Sequence, residues 1–385
     1  MPQSMALAKG ARITGGVFCL LFFLASATWL AIDLGEFGPD GVWDAWTGSG
    51  AYGMNQITGP VQFGLLLLQL VAAFAAFAGA RSAGGLLAVA TAFTFATALQ
   101  TVISTGQHTS DDRWFRHAEN SAPAFEGVFI GGLWLIIFTT VAGIVLLSGM
   151  RGWPRARPSE PPKRPAKAAG VVGGLLLGAM ALTYLAWHIY MLVQGGSGAF
   201  TTLYLGRGLL SSLMQMAPGW YATLLLLLTA AAAVNCLMRG SAARGLAIGL
   251  GVVLLPCDLI TVIAMISNGS LFEFRDAMPG LDVLNHIQLL LELIGSVTLF
   301  AVMGRGEPVA QAWYPPAPAQ FGGPGFLPQP GPQGAPQAGW QQPGPPMAPP
   351  PGPPQGPPMP PPQAPPMPPP PSGPPQQGGF GPPQY

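Results

Sequence analysis

Charge is what this sequence is shortest of. Of its 385 residues only 8% are Asp, Glu, Lys or Arg, where an ordinary soluble domain carries about 25%. Half are apolar, and the mean hydropathy is +0.42. So few charges do not keep such a chain dispersed in water. The formal net charge of +1 points to no nucleic-acid partner. Cysteine is scarce as well. Cys19, Cys236 and Cys257 all sit inside apolar runs with no C-x-x-C, which argues against a disulfide framework and a thiolate metal site. The four histidines form no helix-spaced pair, and there is no P-loop, G-x-S-x-G, H-E-x-x-H or strand-borne G-x-G-x-x-G. Catalytic residues, a bound cofactor and a metal are therefore not expected.

What the sequence has in abundance is long apolar runs. Eight are long enough to cross a hydrocarbon core, which takes roughly 20 residues per helix. They fall near 13–32, 61–80, 84–104, 127–148, 170–193, 220–238, 245–266 and 283–303. The expectation is an all-α polytopic membrane protein whose first partner is the lipid bilayer.

Lys and Arg orient it. With the N-terminus inside, the inner segments hold twelve of the sixteen basic residues, and the outer loops hold Arg113, Arg116, Arg207 and Arg275. The positive-inside rule then places both termini in the cytoplasm. Arg outnumbers Lys by 13 to 3, and with abundant Ala, Gly and Pro this points to a bacterial source and its cytoplasmic membrane.

The two apolar halves read as copies. At an offset of 158, Gly15-Gly16 meets Gly173-Gly174, Trp29 meets Trp187, Pro60 meets Pro218 and Arg81 meets Arg239. At 160, Gly85-Leu86 meets Gly245-Leu246. The fourth and eighth spans match more weakly. Lys9 and Arg12 ahead of Ala25-Ser-Ala27 resemble a secretory signal, but the first span has a full counterpart in the fifth, which argues against its removal. The predicted organisation is a cytoplasmic N-terminus (1–12), a four-helix repeat (13–150), a basic Pro-rich connector (151–169), a second four-helix repeat (170–305) and a tail (306–385). Four helices per copy give both copies one orientation, the parallel kind of repeat. Glycines at i, i+4 spacing, such as Gly170, Gly174 and Gly178 or Gly245 and Gly249, predict close helix contacts. The outer stretch from Gly195 to Pro218 is too apolar for a solvated loop and reads as an interfacial or re-entrant segment on the outer surface.

From Pro308 onward, 78 residues contain 32 of the 44 prolines and no charge. Nothing there builds a core, so a disordered, polyproline-biased tail is expected, able to recruit a cytoplasmic protein with an aromatic groove or to act as a spacer. The oligomeric state is not legible.

Two acids stand deep in the apolar spans, Asp258 in the seventh and Glu292 in the eighth. From helix rise they lie about 10 and 14 Å below the outer edge, within one helical turn of each other. A carboxylate at mid-membrane costs about 3 kcal/mol even on lenient scales, so such residues face a bundle interior and mark a pathway or serve as inter-helix glue. Pro256 frees a backbone carbonyl beside Asp258 and is expected to break the seventh helix there. His286, with Asn285 and Gln288, and His188, with Tyr184, complete the pathway candidates. Ala98 stands where the second half has Asp258, so the site is asymmetric, and the first half offers only Gln69 and Gln100 at depth. His108, His117, Asp111, Asp112 and Glu119 read as a solvated loop.

Three functions fit. The leading expectation is a non-enzymatic membrane scaffold whose tail recruits or spaces partners. The alternative is a proton-coupled transporter or permease using Asp258 and Glu292. A cofactor protein built on His188 and His286 comes third.

Overall fold

The computed structural model describes residues 5–49, 56–106, 122–152, 163–196, 198–206, 212–274 and 278–308. The chain divides into a unit from Met1 to Ala319 and a unit from Gln320 to Tyr385. The second unit lies outside the described residues, as do the rest of the tail from 309, connector residues 153–162 and the loop bearing His108 and His117.

Eight described helices are long and apolar enough to cross a membrane, as the run lengths require. They are α1 (Lys9–Thr47), α2 (Pro60–Phe77), α3 (Ala83–Gly106), α4 (Ala122–Ser148), α5 (Lys167–Gly195), α7 (Pro218–Leu237), α8 (Ala243–Ser267) and α9 (Pro279–Met303). Between α5 and α7 lies the short α6 (Ala199–Leu205). The expected all-α class needs one small amendment. Strand β1 (Met5–Leu7) pairs antiparallel with β2 (Met150–Gly152), and β3 (Lys163–Pro165) with β4 (Gly306–Pro308). The ends of the connector are thus small strands, each tying the start of one four-helix set to its end.

Helix starts follow local chemistry. Pro60, Pro218 and Pro279 each open a helix, where the missing N–H costs nothing and the fixed φ is helical. Gly38, at φ 69°, breaks α1 before Pro39. A side chain there strains the backbone, so glycine marks the bend. The helix then runs on to Thr47, well past the expected end of the first span at 32.

Within each set, neighbouring helices in sequence pack as antiparallel pairs: α1 on α2, α3 on α4, α5 on α7, α8 on α9. The sets meet through α2 on α8 and α3 on α8. Bare backbone makes these contacts. A Cβ on Gly245 would lie 2.2 Å from the Ser82 carbonyl oxygen, and one on Gly64 would lie 2.4 Å from that of Val253. Gly170 and Gly174 serve α7 in the same way, whereas Gly178 faces nothing within 4 Å.

Both strand pairs share one face with the α2–α3 and α7–α8 turns, tied by Arg12 donating to Gly79 O at 3.4 Å and Arg239 to Pro165 O at 3.1 Å. Every described lysine and arginine lies on that face: Lys9, Arg12, Arg81, Arg151, Lys163, Arg164, Lys167, Arg239, Arg244 and Arg305. Of the described acids, only Glu307 is there, bonded to Arg239 at 2.7 Å. The opposite end is acidic.

At that acidic end the two halves meet through loops. Leu213 N donates to Gln56 O at 3.3 Å and Met214 N to Ile57 O at 2.9 Å. Ser212, Leu213, Met214, Met216 and Ala217 are all buried. This part of the Gly195–Pro218 stretch is therefore buried, because its backbone pairs with the loop before α2. Residues 207–211 of it lie outside the described residues.

Candidate functional site

The second half builds the floor of a cavity from three helices. On α9, Gly295 leaves room for α5: its Cβ would sit 2.3 Å from Met180 Cε. One turn along α5 from Met180, the hydroxyl of buried Tyr184 donates to Glu292 Oε1. Gln288 Nε2 donates to the same oxygen at 2.9 Å. On α8, the close approach at Gly64 presses α2 against the turn before Asp258, where Cys257 Sγ is shared between Val253 O at 3.0 Å and Pro60 O at 3.3 Å. Asp258 and Glu292 thereby come to line the same cavity. Each is at most 5% exposed.

One carboxyl oxygen of Asp258, Oδ2, has no hydrogen-bond partner. Such orphaned buried acceptors are uncommon in folded proteins. Asp258, Glu292, Tyr221, Gln288 and Cys257 all line a cavity of about 710 Å³.

Of the sequence candidates, Asp258, Glu292 and His286 line this cavity. His286 presents its two ring nitrogens to the carbonyl oxygens of Asp282 at 2.7 Å and Leu271 at 2.9 Å, fastening the segment before α9 to the helix. His188 is not part of it. The Thr223 hydroxyl already donates to Gly219 O at 2.7 Å, so His188 Nε2 donates to Thr223 at 3.3 Å and Nδ1 accepts from the Tyr204 hydroxyl at 2.9 Å. That network ties α5 to α6 and α7. With His188 and His286 in separate networks, they do not form a joint ligand pair. Among the described residues no group of three or more His, Cys, Asp or Glu has metal-site geometry. Pro256 lies inside α8, which continues unbroken from Ala243 to Ser267; the expected break is absent because the rest of the helical ladder on both sides holds. Gln69 donates to Thr94 at 2.9 Å; neither it nor fully buried Gln100 is among the lining residues.

Several lining residues are not site candidates from the sequence alone: Gln62, Gln215, Glu273 and Asp282, with Trp46 standing out there only as a belt aromatic. For α9 a signal existed. Asp282, Asn285, Gln288, Glu292 and Ser296 recur at three- or four-residue spacing, a polar stripe on an otherwise apolar helix. Asp33 had no such signal. It is fully buried in α1, and its carboxylate accepts from Ile57 N at 2.9 Å, Thr58 N at 2.7 Å and the Thr58 hydroxyl at 2.5 Å. It clamps the loop that roofs the cavity. Trp46 Nε1 donates to Thr58 O at 3.2 Å beside it, and Gln62 bridges the halves, accepting from Gly59 N at 2.9 Å and donating to Met214 O.

No family model, curated protein or solved structure matches this chain.

Proposed function

We propose that this chain is a transporter or permease of a bacterial cytoplasmic membrane, in which Asp258 and Glu292 bind a proton and a cationic solute in alternation. The observation that carries the reading is the unpartnered Asp258 Oδ2, buried beside Glu292 in a polar cavity. Intramembrane carboxylates that serve only as glue find partners on neighbouring helices. This pair has a spare acceptor and lines a cavity, as the residues of proton and ion pathways do.

The distribution of charge supports the sidedness. Basic residues on the strand-bearing face make it cytoplasmic by the positive-inside rule, so the cavity lies toward the outer side. A tandem four-helix repeat is supported by features that no apolar run explains. Gly38 and Gly196 take positive φ (69° and 58°) after the first helix of each half, and Gly48 and Gly206 (69° and 77°) cap the short helical segment that follows. All four stand at the 158 offset. Because α7 has 20 residues to the 18 of α2, the offset becomes 160 at the next turn. Arg239, at φ 52°, then stands at the position of Gly79, at φ 74°, and the pairing of Arg81 with Arg239 is not retained. Parallel repeats with a binding site at their interface are a transporter architecture.

The scaffold expectation rests on the tail, outside the described residues, and one experiment separates the two readings. The full chain is reconstituted in liposomes on a sensor surface and exposed to a pH jump. Wild type should displace charge; Asp258→Asn and Glu292→Gln should fall to the level of empty liposomes; truncation after Glu307 should leave the signal intact. A wild-type signal no larger than that of empty liposomes removes the transporter reading, and loss on truncation with helix content unchanged returns the function to the tail.

A further inference from the structure

Resting on the transporter reading, we infer that the cationic solute is an organic monoammonium ion with a compact apolar body, such as an aromatic ring, and not a metal ion. Its charge sits at Asp258 and its body against Tyr221. Size is the first argument. The cavity of about 710 Å³ is about 24 times the roughly 30 Å³ that a water molecule takes in the liquid. It falls within the range of about 300 to 1,000 Å³ typical of sites for small organic molecules. A bare inorganic cation would fill almost none of it.

The oxygens around Asp258 argue the same way. A metal ion gives up its water only where several free oxygens converge on it, and here they are engaged. Glu292 Oε1 accepts from the Tyr184 hydroxyl and Gln288 Nε2, Pro60 O from Cys257 Sγ, and Gln62 Oε1 from Gly59 N. Asp258 Oδ2 is a buried acceptor with no donor. An ammonium brings its own donors, and its hydrogen bond to a carboxylate is among the stronger ones.

Outward of Asp258 the wall suits the rest of the ion. Asp258 and Met265 line the cavity from seven positions apart on α8, about 10 Å at the helical rise. Val61 and Leu289 add apolar surface, and Tyr221 and Trp46 add rings. Aromatic residues of the first half brace both rings: fully buried Phe93 meets Tyr221 edge-on with centroids 6.3 Å apart, and Phe63 packs on Trp46 at 5.6 Å. Because Trp46 Nε1 already donates to Thr58 O, its indole offers a guest only ring surface. Ring faces attract ammonium ions and cover apolar bodies.

The test is calorimetric titration at pH 7 of the full chain in lipid nanodiscs, corrected for empty nanodiscs, with phenethylamine, methylamine, 2-phenylethanol and sodium chloride. Phenethylamine should bind at least about tenfold tighter than methylamine, a difference of about 1.4 kcal/mol. The uncharged alcohol and sodium should give no saturable heat. Asp258→Asn, with helix content unchanged, should remove phenethylamine binding. Tyr221→Leu should erase most of the preference for phenethylamine over methylamine, and Tyr221→Phe, which keeps the ring and its packing on Phe93, should retain it. Sodium or 2-phenylethanol binding as tightly as phenethylamine, equal affinities for the two amines, no saturable amine binding, or a Tyr221→Leu protein that keeps the preference would overturn the inference. If the pH-jump charge displacement persists in that case, the transporter reading stands without this solute; if it is missing too, both fail together.

Discussion

The two halves of the bundle share a frame and differ in what they do with it. Each opens with a strand that pairs with a strand at its end, bends at a positive-φ glycine after its first helix, and restarts its second helix at a proline. The carboxyl pair is confined to the second half. Where α8 carries Asp258, α3 carries Ala98, and the tyrosine that holds Glu292 comes from α5. The first half contributes differently: α1 supplies Trp46 and the Asp33 clamp, and α2 supplies the backbone that presses on α8. A frame set by glycine, proline and apolar runs thus leaves side chains free to specialise, and exchanging residues between corresponding positions tests how far the halves are equivalent.

The largest effect is expected where the halves are alike. Gly85 and Gly245 meet at the crossing of α3 and α8, and a Cβ on either would lie within 2.7 Å of the other helix's backbone. Backbone cannot rotate away as a side chain can, so Gly245→Leu forces the helices apart. Overpacking of this kind costs about 3 kcal/mol, and because the site hangs from α8 the pH-jump signal should fall with it. Thermal unfolding in nanodiscs measures the first, the sensor measures the second, and an unchanged melting temperature would show that the crossing is not the joint between the halves.

Next comes a position where they differ. At the 158 offset Asp33 corresponds to Met191, a partly buried residue packed against the core. Asp33→Met writes the second half's residue into the first. It removes the acceptor of three hydrogen bonds and strands Ile57 N, Thr58 N and the Thr58 hydroxyl in a buried loop. Stranded donors cost about 1 to 3 kcal/mol each when they find no water. Hydrogen exchange at Ile57 and Thr58 should rise by about tenfold or more, while the carboxyl pair on α8 and α9 keeps its contacts. Unchanged protection at those two amides would mean that the pairing of Ile57 with Met214 holds the loop unaided.

How much of this was legible in the sequence follows from what each feature depends on. The eight spans were legible because run length alone carries them. The side a helix presents did not follow. α5 is apolar all round, so nothing in its sequence fixes which way Tyr184 and His188 face; the structure turns Tyr184 to Glu292 and His188 to Tyr204. Tyr184 and His188 are four apart and looked like neighbours of one site. Asp33 falls just outside the expected first span at 13–32, and its partners, Ile57 and Thr58, lie more than twenty residues away and bind it through backbone N–H groups that no motif records. The burial of the stretch from Ser212 was not legible for the same reason: its backbone pairs with another loop's backbone.

The smallest effect is expected at Gly178. It belongs to the Gly170, Gly174, Gly178 series, whose spacing suggests three equal contacts, yet a Cβ there meets nothing within 4 Å while Gly170 and Gly174 press on α7. Its counterpart at the 158 offset is Leu20, 38% exposed on the outer surface of α1. Gly178→Leu should therefore be accepted without any shift of neighbouring helices. Removing a glycine from a helix interior also removes its excess backbone entropy in the unfolded chain, worth about 0.5 to 1 kcal/mol. The substitution should raise the melting temperature slightly and leave charge displacement unchanged, whereas Gly174→Leu, whose Cβ lies 2.6 Å from Leu237, should lower both. If Gly178→Leu destabilises as much as Gly174→Leu, then α5 has a partner at that face in the membrane, and the surface of the second half is not the lipid-facing surface that its equivalence with Leu20 implies.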